Sequence, residues 1–294
     1  MNFFLLARRP SVSLYDCVSE NSAKVVIRHY SSSFGLASRL LAEPVRTQVR
    51  NVYALVRVAD EIVDNPDPAR GHEPRARMLT WLQEDVRHAL QTGYSGNLVV
   101  HAFARTALGC GIGEELIDPF FASMRMDLET TVHTRETFER YVYGSAEVVG
   151  LMCLRVFLAD DGSGDRSGDY DRLAPGARRL GAAFQKLNFL RDLAVDHDTL
   201  SRCYFPGLDV DRFCDDDRDR ILDDILADLD AAALVVPELP ASSRRAVRAA
   251  HATFTELAAR LRATPAAKIR RTRVRVPDPV KVRLVAAALY GGRS

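Results

Sequence analysis

Residues 53–64, Tyr-Ala-Leu-Val-Arg-Val-Ala-Asp-Glu-Ile-Val-Asp, set the tightest limit on how this chain can fold. Tyr53, Arg57, Asp60 and Asp64 recur at steps of four, three and four residues, which places them on one stripe of an α-helix. Off that stripe every residue except Glu61 is apolar. A helix apolar around most of its girth is buried, so this one carries two carboxylates and a guanidinium into an interior, or onto a cavity inside it. Residues 184–196 repeat the pattern. Gln185, Asn188, Asp192 and Asp196 form a second stripe with Arg191 beside it, and Phe184, Leu187, Phe189, Leu190 and Leu193 fill much of the remaining surface.

A buried charge is costly unless it is paired or holds a metal. Each arginine can neutralise its own aspartate pair in an internal salt-bridge network. Alternatively the stripes face each other, and four carboxylates in one low-dielectric cavity then require cations. Hard divalent ions meet that need, and Mg²⁺ takes oxygen ligands shared with phosphate. Recurrence of one logic on two helices favours the second outcome.

The rest of the chain is ordinary for a globular protein. Its 294 residues are expected to form a single domain, 1–294, because helical patterning of the same kind resumes after the Gly/Ser/Asp-rich stretch 160–171. A net charge of +1 gives no field that would draw nucleic acid. Five scattered cysteines without a Cys-x-x-Cys pair argue against a disulfide framework or structural zinc and suit a reducing compartment. No apolar run reaches the roughly 18–20 residues that span a bilayer. The segment Phe3–Ala7 is too short for a signal core, and Arg8-Arg9 follows it rather than preceding it. A cytoplasmic protein is expected, with an apolar N-terminal edge able to touch a membrane. Oligomeric state is not legible.

Along the chain, Tyr30-Ser31-Ser32-Ser33-Phe34 interrupts a helical pattern, either as a break between two helices or as a polar patch for an anion. Glu43-Pro44 opens the first striped helix, and helices are expected over 75–91, 98–108 and 114–129. A long helix starting at Thr134 carries Gly144, Ser145, Ala146 and Gly150, small residues that admit either a neighbouring helix or a substrate. Further helices are expected from Leu173 to the closing segment Arg202–Pro206, and over 221–235, 242–261 and 280–290, with a basic run at 270–277. There is no β-rich stretch, Gly-rich phosphate loop or fixed-period repeat. The expectation is an all-α fold of about ten helices.

Asp60-Glu61-Ile62-Val63-Asp64 and Asn188–Asp196 resemble the two aspartate-rich motifs of the squalene/phytoene synthase family. Tyr141–Gly150, Met126-Asp127-Leu128 and Tyr204-Phe205-Pro206 are similar to other segments of that family, in its order and spacing over nearly the whole chain. Tyr-Gly-Ser-Ala-Glu and the closing Arg-Val-Arg-Val-Pro are most similar to its bacterial phytoene-forming members. Two departures stand out: Asp60-Glu61 where many relatives have Asp-Asp, and a looser match around Arg273.

The resemblance implies packed helices around a deep central cavity. It implies Mg²⁺-dependent (or Mn²⁺-dependent) head-to-head joining of two prenyl diphosphates. The expected reaction takes two geranylgeranyl diphosphates through prephytoene diphosphate to phytoene, without NADPH. The alternative is a C15 reaction giving presqualene diphosphate, dehydrosqualene or squalene. By position it implies Asp60, Asp64, Asn188, Asp192 and Asp196 on the metal side. It implies Tyr53, Arg57, Gln185, Arg191, Arg273 and the Tyr30, Ser31, Ser32, Ser33, Phe34 cluster as substrate contacts, and Tyr143 and Tyr204 as cavity residues that steady a cation. A terpene cyclase would also pair an acidic motif with Mg²⁺, but here both motifs are Asp-x-x-x-Asp on separate helices. A non-catalytic helical scaffold would leave the Asp–Arg pairs purely structural.

Overall fold

The computed structural model describes residues 12–31, 33–65, 71–159 and 167–290, and among these the regular elements are all helices. They are α1 (Leu14–Tyr30), α2 (Ser33–Ser38), α3 (Val45–Val63), α4 (His72–Thr92), α5 (Leu98–Cys110), α6 (Glu114–Glu129), α7 (Arg135–Val142) and α8 (Val148–Ala159). The chain continues with α9 (Ser167–Leu200), α10 (Asp215–Val235), α11 (Ala241–Arg262), α12 (Ala266–Ile269) and α13 (Asp278–Tyr290).

Local chemistry explains most of these limits. Ser13 and Asp16 form a capping box that starts α1, and Asn97 accepts from two backbone N–H groups to start α5. Gly93 and Gly111 adopt φ of 75° and 68° to close α4 and α5. The hydroxyl cluster is indeed a break, with α1 ending at Tyr30 and α2 beginning at Ser33. Helix α9 begins at Ser167, before the expected Leu173, and runs through Pro175.

α7 passes into α8 through a π-helical turn, Tyr143–Glu147, which the apolar periodicity did not reveal. The resulting 25-residue rod, Arg135–Ala159, is long and apolar enough by composition to cross a membrane, contrary to the sequence expectation. More than half of its most apolar 18-residue stretch is buried between other helices of the fold, so it packs as a core helix. The apolar N-terminal edge lies outside the described residues.

Small residues bring this rod against its neighbours. A Cβ on Gly144 would lie 2.1 Å from the Pro119 carbonyl oxygen of α6, and one on Gly150 would lie 2.5 Å from the Ala177 carbonyl oxygen of α9. From the other side, a Cβ on Gly181 would meet the Ala146 carbonyl oxygen at 2.4 Å. Of the two openings left by the sequence, the neighbouring helix is the partner at these glycines.

Two apolar cores result. One gathers α3, α4, α5, α6 and α8 around Leu55, Leu79, Phe103, Phe120 and Met152. The other gathers α9, α10, α11 and α12 around Leu187, Leu190, Leu222, Ile225 and Leu261. α3 brings the first aspartate stripe from the first core, and α9 brings the second stripe from the other.

Candidate active site

The two stripes face one cavity of about 130 Å³. Asp60 and Asp64 enter it from α3, and Gln185, Asn188, Asp192 and Asp196 from α9. Asp127, Tyr141, Phe189, Leu200, Arg202 and Tyr204 complete the lining.

Crowding of like charges marks the place. Burial, then the Asp64 charge, push the Asp60 carboxyl up to about 8 against the pull of Arg57, although 32% of the Asp60 side chain remains open to the cavity. Burial, then the charges of Asp192 and Asp64, raise Asp196 to about 7. Burial raises Asp127 to about 6 against Arg202 and two tyrosine hydroxyls.

Behind the aspartates lies a buried polar network. Arg202 is 5% exposed. Its Nη1 donates to Asp64 Oδ1 at 2.6 Å, and its Nη2 to the backbone carbonyls of Val63 (3.2 Å) and Asp127 (2.8 Å). Tyr141 and Tyr204 donate their hydroxyls to Asp127 Oδ2 and Oδ1 at 2.7 and 2.9 Å. Burial, together with the Asp127 charge, holds both phenols well above their usual range, so they stay protonated and keep donating. Tyr204 lies flat on Phe189, with centroids 4.0 Å apart, and stacks on His133 at 5.6 Å. Burial pushes the His133 imidazole down. The segment bearing Arg202 and Tyr204 is fixed by the Cys203 N–H donating to the Thr131 carbonyl at 2.8 Å, after a left-handed Ser201 (φ 53°) turns the chain out of α9.

The remaining sequence candidates fall in three places. Tyr30, Ser31, Tyr53 and Arg57 gather at one edge of the site. The Arg57 guanidinium lies 4.5 Å from the Tyr30 ring centre and 3.9 Å from Asp60, and it also pairs with Glu61. Burial raises the Tyr53 phenol, opposed by Arg57 and a Ser31 hydrogen bond. Arg191 and Arg273 both hold Asp192. Ser32 lies outside the described residues, and Ser33 and Phe34 begin α2. Tyr143, expected in the cavity, does not line it: its ring lies under Arg178, 5.2 Å from the guanidinium. Tyr141 occupies the cavity instead, two residues back and about 200° around the helix.

Asp127, Tyr141 and Arg202 were not singled out from sequence as site residues. The available signal was that Asp127 and Tyr141 fall in the segments Met126-Asp127-Leu128 and Tyr141–Gly150 that resemble the family, whereas Arg202 carried no such mark.

The donors in the cavity are oxygens, which suits a hard cation. Among the described residues no three acidic, histidine or cysteine side chains already converge as a closed cage. A cation here would complete its shell with water or substrate oxygens, the habit of Mg²⁺.

Helices wrapped around an acid-lined cavity between two cores define an isoprenoid-synthase-type all-α fold. Among solved structures, a dehydrosqualene synthase in complex with ligand superposes with a TM-score of 0.76 at 19% identity, over 93% of this chain and 96% of that one. A squalene synthase, HpnC from Alicyclobacillus acidocaldarius, gives 0.71 at 20% identity over 86% and 96%. The squalene/phytoene synthase family model matches residues 27–279, and the chain belongs to that family. A phytoene synthase of Pseudescherichia vulneris is 30% identical over 185 residues, 60% of this chain and 56% of that protein. A bifunctional lycopene cyclase/phytoene synthase of Blakeslea trispora is 29% identical over 201 residues, 62% and 31% respectively. The chain therefore spans between 31% and 56% of the length of these curated relatives.

Proposed function

We propose that this chain joins two geranylgeranyl diphosphates head to head, through prephytoene diphosphate, to phytoene, releasing both diphosphates without NADPH. The observation that carries the reading is the convergence of both Asp-x-x-x-Asp stripes, from α3 and α9, on one cavity with oxygen donors. Relatives named phytoene synthase at 28–30% identity support the C20 choice.

Asp60, Asp64, Asp192 and Asp196, with Asn188, would hold Mg²⁺ or Mn²⁺. Bound there, the ion supplies positive charge for the leaving diphosphate. Arg57 and Arg191 would grip diphosphate oxygens with a bidentate fork, with Tyr30, Ser31 and Tyr53 beside Arg57. Tyr204, Phe189 and Tyr141 offer ring faces that steady an allylic cation and an apolar wall that keeps water from it. Arg202 and Asp127 fix the two tyrosine rings by their hydroxyls. A lipophilic C40 product fits a cytoplasmic enzyme working beside a membrane.

A second reading, in which the chains are C15, follows the structural neighbours named dehydrosqualene synthase and squalene synthase. Incubation with C15 and C20 diphosphates separately, with Mg²⁺ and no reductant, followed by product mass, decides. A C40 hydrocarbon, lost in Asp60→Asn and Asp192→Asn, is the expected result. A C30 product alone selects the second reading, and no product from either substrate overturns both.

A further inference from the structure

Asp192 is held by two arginines at once. Arg191 Nε donates to Oδ1 at 3.0 Å and Nη2 to Oδ2 at 2.5 Å. Arg273 pairs through Nε with Oδ1 at 2.7 Å and donates from Nη2 to Oδ2 at 3.1 Å. Each carboxylate oxygen thus meets one nitrogen from each guanidinium. A divalent cation at Asp192 would stand beside two fixed positive charges, and like charges at that range repel. One arginine has to leave before Asp192 can serve a cation.

The fold indicates which one. Arg191 is the sequence neighbour of Asp192 on α9, 21% exposed, and cannot travel far from it. Arg273 comes from 81 residues away, on the irregular segment between α12 and α13, and is 45% exposed. Its planar fork matches a phosphate as well as it matches a carboxylate.

We propose that Arg273 is a positioning residue that exchanges partners: it neutralises Asp192 while the site is empty and transfers to the diphosphate group when that arrives, freeing Asp192 for the cation. This deepens the metal-dependent reading above and rests on it for the cation at Asp192 and for the identity of the anion. Cation and diphosphate should then each promote binding of the other, since a coupling between two ligands is reciprocal.

The test measures Mn²⁺ affinity by electron paramagnetic resonance, with and without inorganic pyrophosphate, in the full chain and in Arg273→Gln, Arg273→Lys and Arg271→Gln. Thermal melts confirm folding. Without pyrophosphate, R273Q should bind Mn²⁺ about threefold to fivefold more tightly than the native chain, the range a partly exposed ion pair commands. R273K should fall between them. R271Q, which removes the same charge from the same segment, should match the native chain. Pyrophosphate should tighten Mn²⁺ binding in the native chain and do so less in R273Q. Unchanged or weaker Mn²⁺ binding in R273Q, equal tightening in R271Q, or no binding in any of the proteins overturns the exchange. Failure of the native enzyme to form a hydrocarbon would count against the proposed reaction and leave these affinities to be judged by themselves.

Discussion

Arg202 is the single residue on which the cavity's back wall depends. Its guanidinium neutralises Asp64 and holds the end carbonyls of α3 and α6. Removing one partner of a buried charged set strands the others in low dielectric, which costs more than the pair was worth. Arg202→Met should therefore destabilise the fold by about 3–5 kcal/mol, measured by denaturant unfolding. A loss below about 1 kcal/mol would show that Asp64 and Asp127 do not need this charge. Arg57 and Arg191 escaped such ambiguity in the sequence because each sits beside an Asp-x-x-x-Asp stripe. Arg202 lies in an irregular segment with no period, so nothing marked it as the buried counter-charge.

At the level of elements, the rod formed by α7, the π turn and α8 meets α6 and α9 backbone to backbone. Gly150→Leu would drive a side chain into the Ala177 carbonyl, and such overpacking costs about 1–3 kcal/mol or more. The expected outcome is parallel loss of melting temperature and of turnover on C15 and C20 substrates. A folded variant with a changed C20-to-C15 ratio would show instead that Gly150 borders the substrate chain. Most helices were legible, since α3, α6 and α11 follow their apolar periods to within about two residues of the expected limits, whereas the short α12 and the acidic first turns of α10 carried no apolar period. The π turn was not. An extra residue in one turn leaves the apolar count nearly unchanged while rotating the α8 half of the rod relative to α7. The facing of the two stripes could be argued from charge alone, whereas the Arg273 contact required the path of the chain after α12.

Across the whole molecule, raised and lowered carboxylates set opposite pH windows. Asp60, Asp127 and Asp196 are raised to about 8, 6 and 7, so between about pH 4 and pH 8 the cation-free folded chain binds more protons than the unfolded chain. Stability then falls as pH rises through that window. Asp16 acts in the other direction. Burial alone would raise it, but hydrogen bonds from His101 and Ser13 and the Arg105 charge lower it to about 2. Its contribution is present above about pH 4 and lost as pH falls towards 2. Cation-free protein should melt at a lower temperature at pH 8 than at pH 5, and Mg²⁺ should raise the pH 8 value more than the pH 5 value. Equal or higher melting at pH 8, with no dependence of the Mg²⁺ effect on pH, would contradict the crowded-acid cavity.

The Arg202–Asp64 bond also orders events in time. Its partners are separated by 138 positions, and such a long closure is entropically slow. During synthesis both acid stripes exist by residue 196, before Arg202 has been added and well before Arg273. A nascent chain therefore carries its acids early and these two counter-charges late. Arg202 joins the ends of α3 and α6 to the chain that follows α9, so the back wall of the cavity can be completed only after both stripes have been made.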